Sequence, residues 1–199
     1  MEGQSPFRPQ PDHRFTFLQG FLKRPKEVGS IIPSSRFLER GVVRTAITRD
    51  ARTIVELGPG TGGTTRAILR AMSPQAKLLS IEINPRFARL LSRMPDARLT
   101  VHEGSASEIM QALSQHGLPP ADAILSGIPF STMSRSLGLE ILRSVHDALA
   151  PGGIFVAYQV RDRVEDLGRV VFGSAQVKTV MLNVPPMRIY RWRKGEHSE

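Results

Sequence analysis

The sequence predicts an α/β protein with a doubly wound, seven-stranded, mostly parallel sheet that ends in an antiparallel pair. Short β-branched runs alternate with helical patterns from residue 52 to residue 160, so successive strands are joined by crossover helices and run parallel. A glycine-rich turn, ELGPGTG at 56–62, leads from the first run straight into a helix, where such sheets place a ligand loop. The final two runs, AQVKTVMLNV and MRIYRWR, are parted by Pro185-Pro186. That is too little chain for a crossover, so the two are expected to pair antiparallel at the sheet edge.

Residues 1–12 carry Pro6, Pro9 and Pro11 without any hydrophobic period, which predicts a disordered lead. The next stretch, HRFTFLQGFLKR, gathers Phe15, Phe17, Leu18, Phe21 and Leu22 on one half of a helical wheel, with Lys23 and Arg24 at the margin. It stops at Pro25. An amphipathic segment over 13–34 is therefore expected, followed by one domain over 35–194 and a short tail over 195–199. The segment either lies in a membrane interface, where it would also close over the site as a lid, or docks on the flanking helices. A helix from about Ser35 to Ile47, capped by Ser34 or Ser35, would bury Phe37, Leu38, Val42, Val43, Ala46 and Ile47. Strands are then predicted at 52–58, 77–83, 98–104, 121–127 and 154–160. TTRAILRAM, PRFARLLSRM, ASEIMQALSQHG and SRSLGLEILRSVHDALA are the helices between them, the last ending at Pro151-Gly152-Gly153.

A chain of 199 residues with 40% hydrophobic content supports one domain with a real core. Cysteine is absent, which excludes a disulfide framework and a thiolate metal site. The polar N-terminus has no apolar h-region, so a cytoplasmic protein is expected. The 27 Lys+Arg against 18 Asp+Glu give a net charge of +9. Such an excess suits a polyanionic partner, nucleic acid or an anionic membrane surface, as well as a merely solvated basic face. It is concentrated early: Arg14, Lys23, Arg24, Lys26, Arg36, Arg40, Arg44 and Arg49 are set against only Glu27 and Glu39 in residues 13–49.

Glycines in the 56–62 turn let backbone approach a ligand with no Cβ in the way. Alone the pattern is unspecific, but two acids sharpen it. Glu82 ends the second strand, in place to accept both hydroxyls of a ribose. Glu56, beside the turn, would face a positive group and repel a pyrophosphate, which favours S-adenosylmethionine over a dinucleotide. With its acid-ended second strand and terminal antiparallel pair, the sequence resembles the class I S-adenosylmethionine-dependent methyltransferases over about residues 50–194. The resemblance implies their Rossmann-like fold, with S-adenosylhomocysteine as product. It also implies that Glu56, Gly58, Pro59, Gly60 and Gly62 line the methionine end of the cofactor, that Glu82 holds the ribose, and that Ile83 packs on the adenine. Ser105 and Ala106 stand where many members have an adenine-binding Asp, and Ser126 closes the cofactor set.

The fourth strand ends in Ser126-Gly127-Ile128-Pro129-Phe130. Planar-amine methyltransferases look like N-x-P-Y or D-P-P-Y here; this chain keeps the proline and an aromatic but lacks the Asn that would grip a base. FLKRPKEVGSIIPSSR, SGIPFSTM and NVPPMRIYRWRK together resemble the bacterial phospholipid N-methyltransferases, which methylate phosphatidylethanolamine towards phosphatidylcholine. That likeness implies a phospholipid substrate, an anionic membrane surface as partner, no nucleic acid, and a place on the inner face of the cytoplasmic membrane. It also makes Ser126, Gly127, Ile128, Pro129, Phe130, Tyr158 and Arg188 candidates for the acceptor side, while Ser34 falls near the place where the related adenine dimethyltransferases have a G-Q-N-F-L segment that touches the cofactor. Tyr158 is the candidate catalytic residue, bonding the amine or facing the growing cation with its ring, unless it simply packs in the sheet. Two other readings remain open: an RNA or DNA adenine methyltransferase, and a non-catalytic binding module that keeps the fold.

Overall fold

The computed structural model describes residues 36–181 and 185–195. The predicted lead, the amphipathic segment with its membrane-facing residues, and Ser34 lie outside these residues, as does the tail beyond Gly195. The chain enters on α1 (Arg36–Ala46) and passes to β1 (Thr53–Leu57), α2 (Gly63–Ala71), β2 (Lys77–Glu82), α3 (Pro85–Leu91) and β3 (Leu99–Glu103). It continues through α4 (Ile109–Gln115), β4 (Ala121–Ser126), α5 (Arg135–Ala148), β5 (Leu149–Gln159) and α6 (Arg163–Phe172), and closes with β6 (Gln176–Val180) and β7 (Met187–Arg193). The seven strands lie in the order β3-β2-β1-β4-β5-β7-β6. All pairings among β1 to β5 are parallel, and β7 slots antiparallel between β5 and β6.

The two faces of the sheet follow from the period of two in its strands. Ile54, Leu78, Ala123, Leu125, Ile154 and Val156 pack with Leu38, Val42 and Ala46 of α1 and Ala67, Ile68 and Leu69 of α2. Their alternates Val55, Leu79, Ile124 and Phe155 pack with α4, α5 and α6. Both faces are thus covered, which is why these strands read as near-continuous apolar runs. Fully burying one Leu or Ile contributes about 1.5–3 kcal/mol. The fold is accordingly anchored at its centre, with loops free to build a site at the carboxyl ends of the strands.

The fold class and the closing antiparallel pair are as predicted. Several details differ. Phe37 is 57% exposed, because it stands one position ahead of the stripe Leu38, Val42 and Ala46 that meets the sheet. β5 begins at Leu149, five residues before the predicted start: Leu149 pairs with Ala121, and a register shift before Ala123 absorbs Pro151-Gly152-Gly153. α6 is an element that no strand–helix pattern had marked. It is short, and Asp162 at its N-cap makes no capping bond, because its carboxylate accepts from the Tyr190 hydroxyl at 2.7 Å and from Arg188.

α6 carries its own test. Gly168 faces Trp192, and a Cβ there would lie 2.4 Å from the indole Cζ2. The ring cannot yield, since it stacks on Phe155 at 5.3 Å and its Nε1 donates to the Gly173 carbonyl at 3.1 Å. Gly168→Ala is expected to cost about 1–3 kcal/mol by overpacking, read as a lowered thermal midpoint with little change in cofactor affinity.

Candidate active site

β1 and β4 are central strands, and the loops at their carboxyl ends meet above the sheet, the point at which doubly wound folds bind ligands. The turn after β1 uses left-handed backbone at Gly58 and Gly60, with φ of 69° and 56°. A Cβ at Gly58 would press on Ile128 Cγ1 at 3.0 Å, whereas one at Gly60 would meet nothing within 4 Å. Gly60 thus faces open space, and its N–H donates to Glu82 Oε2 at 3.0 Å; the Asn84 N–H donates to Glu82 Oε1 at 2.9 Å. The Glu82 carboxylate is held from both sides, and each oxygen keeps a lone pair for a further donor such as a ribose hydroxyl. Burial raises its pKa.

Glu56 is enclosed. Thr65 Oγ1 and Ser80 Oγ both donate to its Oε2, at 2.7 and 2.9 Å, while Oε1 has no partner among the described residues. Burial pushes its pKa up to about 7, against the lowering effect of the Thr65 and Ser80 bonds. A buried acceptor without a donor is costly. A cationic group arriving at Oε1 would satisfy it and draw the carboxyl into its charged form.

Beyond the carboxyl end of β4 the structure brings together Tyr158, Thr64 and Gly127. The Tyr158 hydroxyl lies 3.2 Å from Thr64 Oγ1. It stands so close over Gly127 that a Cβ there would be 2.5 Å away, with the Gly58 carbonyl at 3.2 Å. The phenol's pKa is raised, first by burial and then by the charge of Glu56, so the group stays protonated and serves as a hydrogen-bond partner rather than a base.

The other predicted residues, and some of their neighbours, fall elsewhere. Phe130, expected at the acceptor, is wholly buried in a 3-10 turn beside Gly138 of α5; it supports the loop from below. Ser126 is also enclosed, its hydroxyl accepting from the Ile128 N–H at 3.3 Å, so its side chain shapes the loop and is not open to a ligand. Ile128 is buried as well, and its carbonyl accepts from Gln159 Nε2 at 2.6 Å. Gly127 and Pro129 are the half-exposed members of the loop. Ile83 is half-buried just past Glu82. Ser105 Oγ accepts from the Ser107 N–H at 3.2 Å in a capping box with Glu108, and Ala106 is buried behind it. Arg188 lies level with Gln159 at the carboxyl edge, where it is paired to Asp162. Arg193, by contrast, lies level with Ile154 at the opposite edge. Lys194 donates there to the His146 and Leu149 carbonyls at 2.9 and 2.7 Å. His102 turns to His116, with a 3.3 Å contact between ring nitrogens.

Sequence reasoning passed over Thr64, Thr65 and Ser80, which hold the two central side chains, and Glu39. The Glu39 carboxylate on α1 leans over the start of α2, where a Cβ on Gly63 would lie 2.7 Å from Oε1. The hydroxyl positions were findable: Thr65 is nine residues after Glu56 on the first turn of a helix starting from the same loop. Glu39 left no signal, since only the packing of α1 brings it to the site.

A glycine turn over open space, a ribose-ready acid at the end of β2 and an orphaned buried carboxylate oxygen at the end of β1 define a class I methyltransferase site. The family described as a methyltransferase domain matches residues 55–155. An ornithine lipid N-methyltransferase from Singulisphaera acidiphila is 38% identical over 143 residues, covering 71% of this chain and 74% of that protein. A ribosomal RNA small subunit methyltransferase A from Laribacter hongkongensis is 36% identical over 81 residues, covering 41% of this chain and 30% of that protein. Among solved structures, the Burkholderia thailandensis 1,6-didemethyltoxoflavin-N1-methyltransferase superposes with a TM-score of 0.68 at 14% identity, covering 98% of this chain and 94% of that one. The chain belongs to the S-adenosylmethionine-dependent methyltransferases. The cofactor supplies an electrophilic methyl group on a sulfonium. The residues fit it: Glu56 Oε1 is free for its cationic amino group, Gly60 leaves room for it, and Glu82 has lone pairs for its ribose.

Proposed function

We propose that the enzyme methylates the amine of phosphatidylethanolamine, and of its mono- and dimethyl forms, towards phosphatidylcholine, working peripherally on the inner face of the cytoplasmic membrane. The acceptor end carries this reading: a protonated phenol tied to Thr64 stands over Gly127, in a loop without the Asn that reads the edge of a base. Identity of 38% with a protein named as a lipid N-methyltransferase supports an amino-lipid acceptor. An ethanolamine ammonium has a pKa near that of lysine, about 10, yet only the neutral amine attacks a methyl group. A confined site favours loss of that proton to water by desolvation, the Tyr158 oxygen orients the primary and monomethyl amines through an N–H, and its ring faces the cation as it forms at each step. Holding nitrogen and methyl in line supplies much of the remaining acceleration. The basic amphipathic segment over 13–34 is assigned to the anionic surface, each Lys or Arg near it contributing about 1 kcal/mol. No described helix is long and apolar enough to cross a membrane.

The similarity to ribosomal RNA methyltransferases favours a second reading, adenine methylation in RNA. One experiment separates the two. Purified protein with labelled S-adenosylmethionine and vesicles containing phosphatidylethanolamine is expected to place label in mono-, di- and trimethylated lipid. Label that appears in RNA instead, with binding that weakens steeply as salt rises, overturns the lipid reading.

A further inference from the structure

A groove of about 720 Å³ runs between α1 and α2, walled by Glu39, Arg40, Arg44, Gly63, Arg66 and Arg70 over a floor that includes Val43 and Ala67. Its charges are ordered. The single carboxylate, Glu39, sits at the end where α2 leaves the glycine turn, against Gly63. The next residue, Thr64, is bonded to Tyr158. Arg66 bends back to this end, its Nη1 donating to the Thr61 and Gly62 carbonyls at 3.2 and 3.1 Å. Arg40 and Arg44, one turn apart on α1, and Arg70 on α2 continue the positive lining away from the site, and none of the three has an ion-pair partner among the described residues. Guanidinium groups remain charged at any working pH.

We propose that this groove is the binding site for a zwitterionic amino-lipid headgroup, with its ammonium at Glu39 beside Tyr158 and its anionic group on Arg40, Arg44, Arg66 and Arg70. The order of charges is the argument. A merely basic membrane-docking face has no use for a carboxylate at its inner end, and a cofactor pocket has no use for guanidiniums along its length. A molecule with one cationic tip and one anionic group a few bonds behind it matches both. Phosphoethanolamine and ornithine headgroups share that chemistry, one offering phosphate and the other carboxylate, and bidentate arginine contacts suit either. The inference rests on the lipid reading above and assigns its acceptor site.

The test uses monomeric substrates, so that no membrane surface contributes: a short-chain phosphatidylethanolamine, a short-chain ornithine lipid, and an alkylamine lacking any anionic group. Wild-type protein is expected to prefer the zwitterions to the alkylamine by at least tenfold in kcat/KM, the better zwitterion identifying the source of the anion. The double variant Arg44→Ala with Arg70→Ala is expected to raise KM for the zwitterions at least tenfold and to erase that preference, with kcat and cofactor affinity within twofold of wild type. Glu39→Gln is expected to raise KM for all three amines, and the charge-keeping pair Arg44→Lys with Arg70→Lys to recover part of the preference. Arginine variants that weaken binding to vesicles or RNA but leave the monomeric KM values unchanged overturn the headgroup site while leaving lipid methylation standing. A wild-type enzyme that methylates none of the three amines overturns both readings.

Discussion

Replacing Glu56 by Gln is expected to weaken S-adenosylmethionine binding roughly a hundredfold, and to remove the pH dependence of both binding and stability near neutrality. The size follows from a charge-assisted hydrogen bond in a closed site, worth about 1.5–3 kcal/mol. The pH dependence follows from where Glu56 sits. Its carboxyl is raised from 4.5 to about 7 by burial. In the free protein, folding therefore takes up a proton between those two values. By linkage, stability is highest at and below pH 4.5 as far as this group is concerned, falls as pH rises towards 7, and levels off above it. The full drop is on the order of 3 kcal/mol. A cationic ligand at Oε1 needs the ionised form, so cofactor affinity runs the other way and should rise roughly eightfold from pH 6 to pH 7.5. Calorimetry across that range, with urea melts of free protein at pH 5 and pH 8, reads both slopes. A Glu56→Gln variant that binds the cofactor as wild type does, with its slopes unchanged, would show that Glu56 is a packing residue.

Much of this site was open to a reader of the sequence, because its parts obey local rules. ELGPGTG announces a left-handed turn between strand and helix, and Glu82 ends a strand whose run of Leu and Ile is unmistakable. What remained hidden depends on packing across the sheet. Phe130 reads as a stacking aromatic by position, yet the 3-10 turn after Pro129 drops its ring into the core beside Gly138 on α5. Ser126 reads as a polar group for a ligand, yet the chain turns so sharply after it that its hydroxyl is needed by Ile128. Glu39 lies on a helix where it reads as a surface acid, and only the approach of α1 to α2 carries it to the mouth of the glycine turn. α6 lacked a side-chain cap because its Asp162 is engaged by residues more than twenty positions away.

Gly127→Ala is expected to lower kcat roughly a hundredfold while costing only about 1–2 kcal/mol of stability. A Cβ at this position would lie 2.5 Å from the Tyr158 oxygen, 3.1 Å from its Cζ and 3.2 Å from the Gly58 carbonyl. Neither side can retreat freely. Gly127 is fixed to β1 by its N–H, which donates to the Leu57 carbonyl at 3.0 Å, and Tyr158 is built into β5 opposite Ile189. The phenol must swing off Thr64, taking its oxygen out of the space where the proposed acceptor amine would be oriented, and misplacement on the ångström scale is enough for a loss of this size. Tyr158→Phe alone keeps the ring and loses the hydroxyl, so a smaller fall of about tenfold is expected. The double variant provides the decisive reading. Removing the hydroxyl relieves the closest clash, leaving the 3.1 Å contact to Cζ. Gly127→Ala should therefore destabilise the Tyr158→Phe variant by about 1 kcal/mol less than it destabilises wild type. In kcat the two losses should overlap and not multiply, because both remove the same oxygen from the same place. If they multiply, Gly127 and Tyr158 act at separate points, and the phenol is not at the reacting centre.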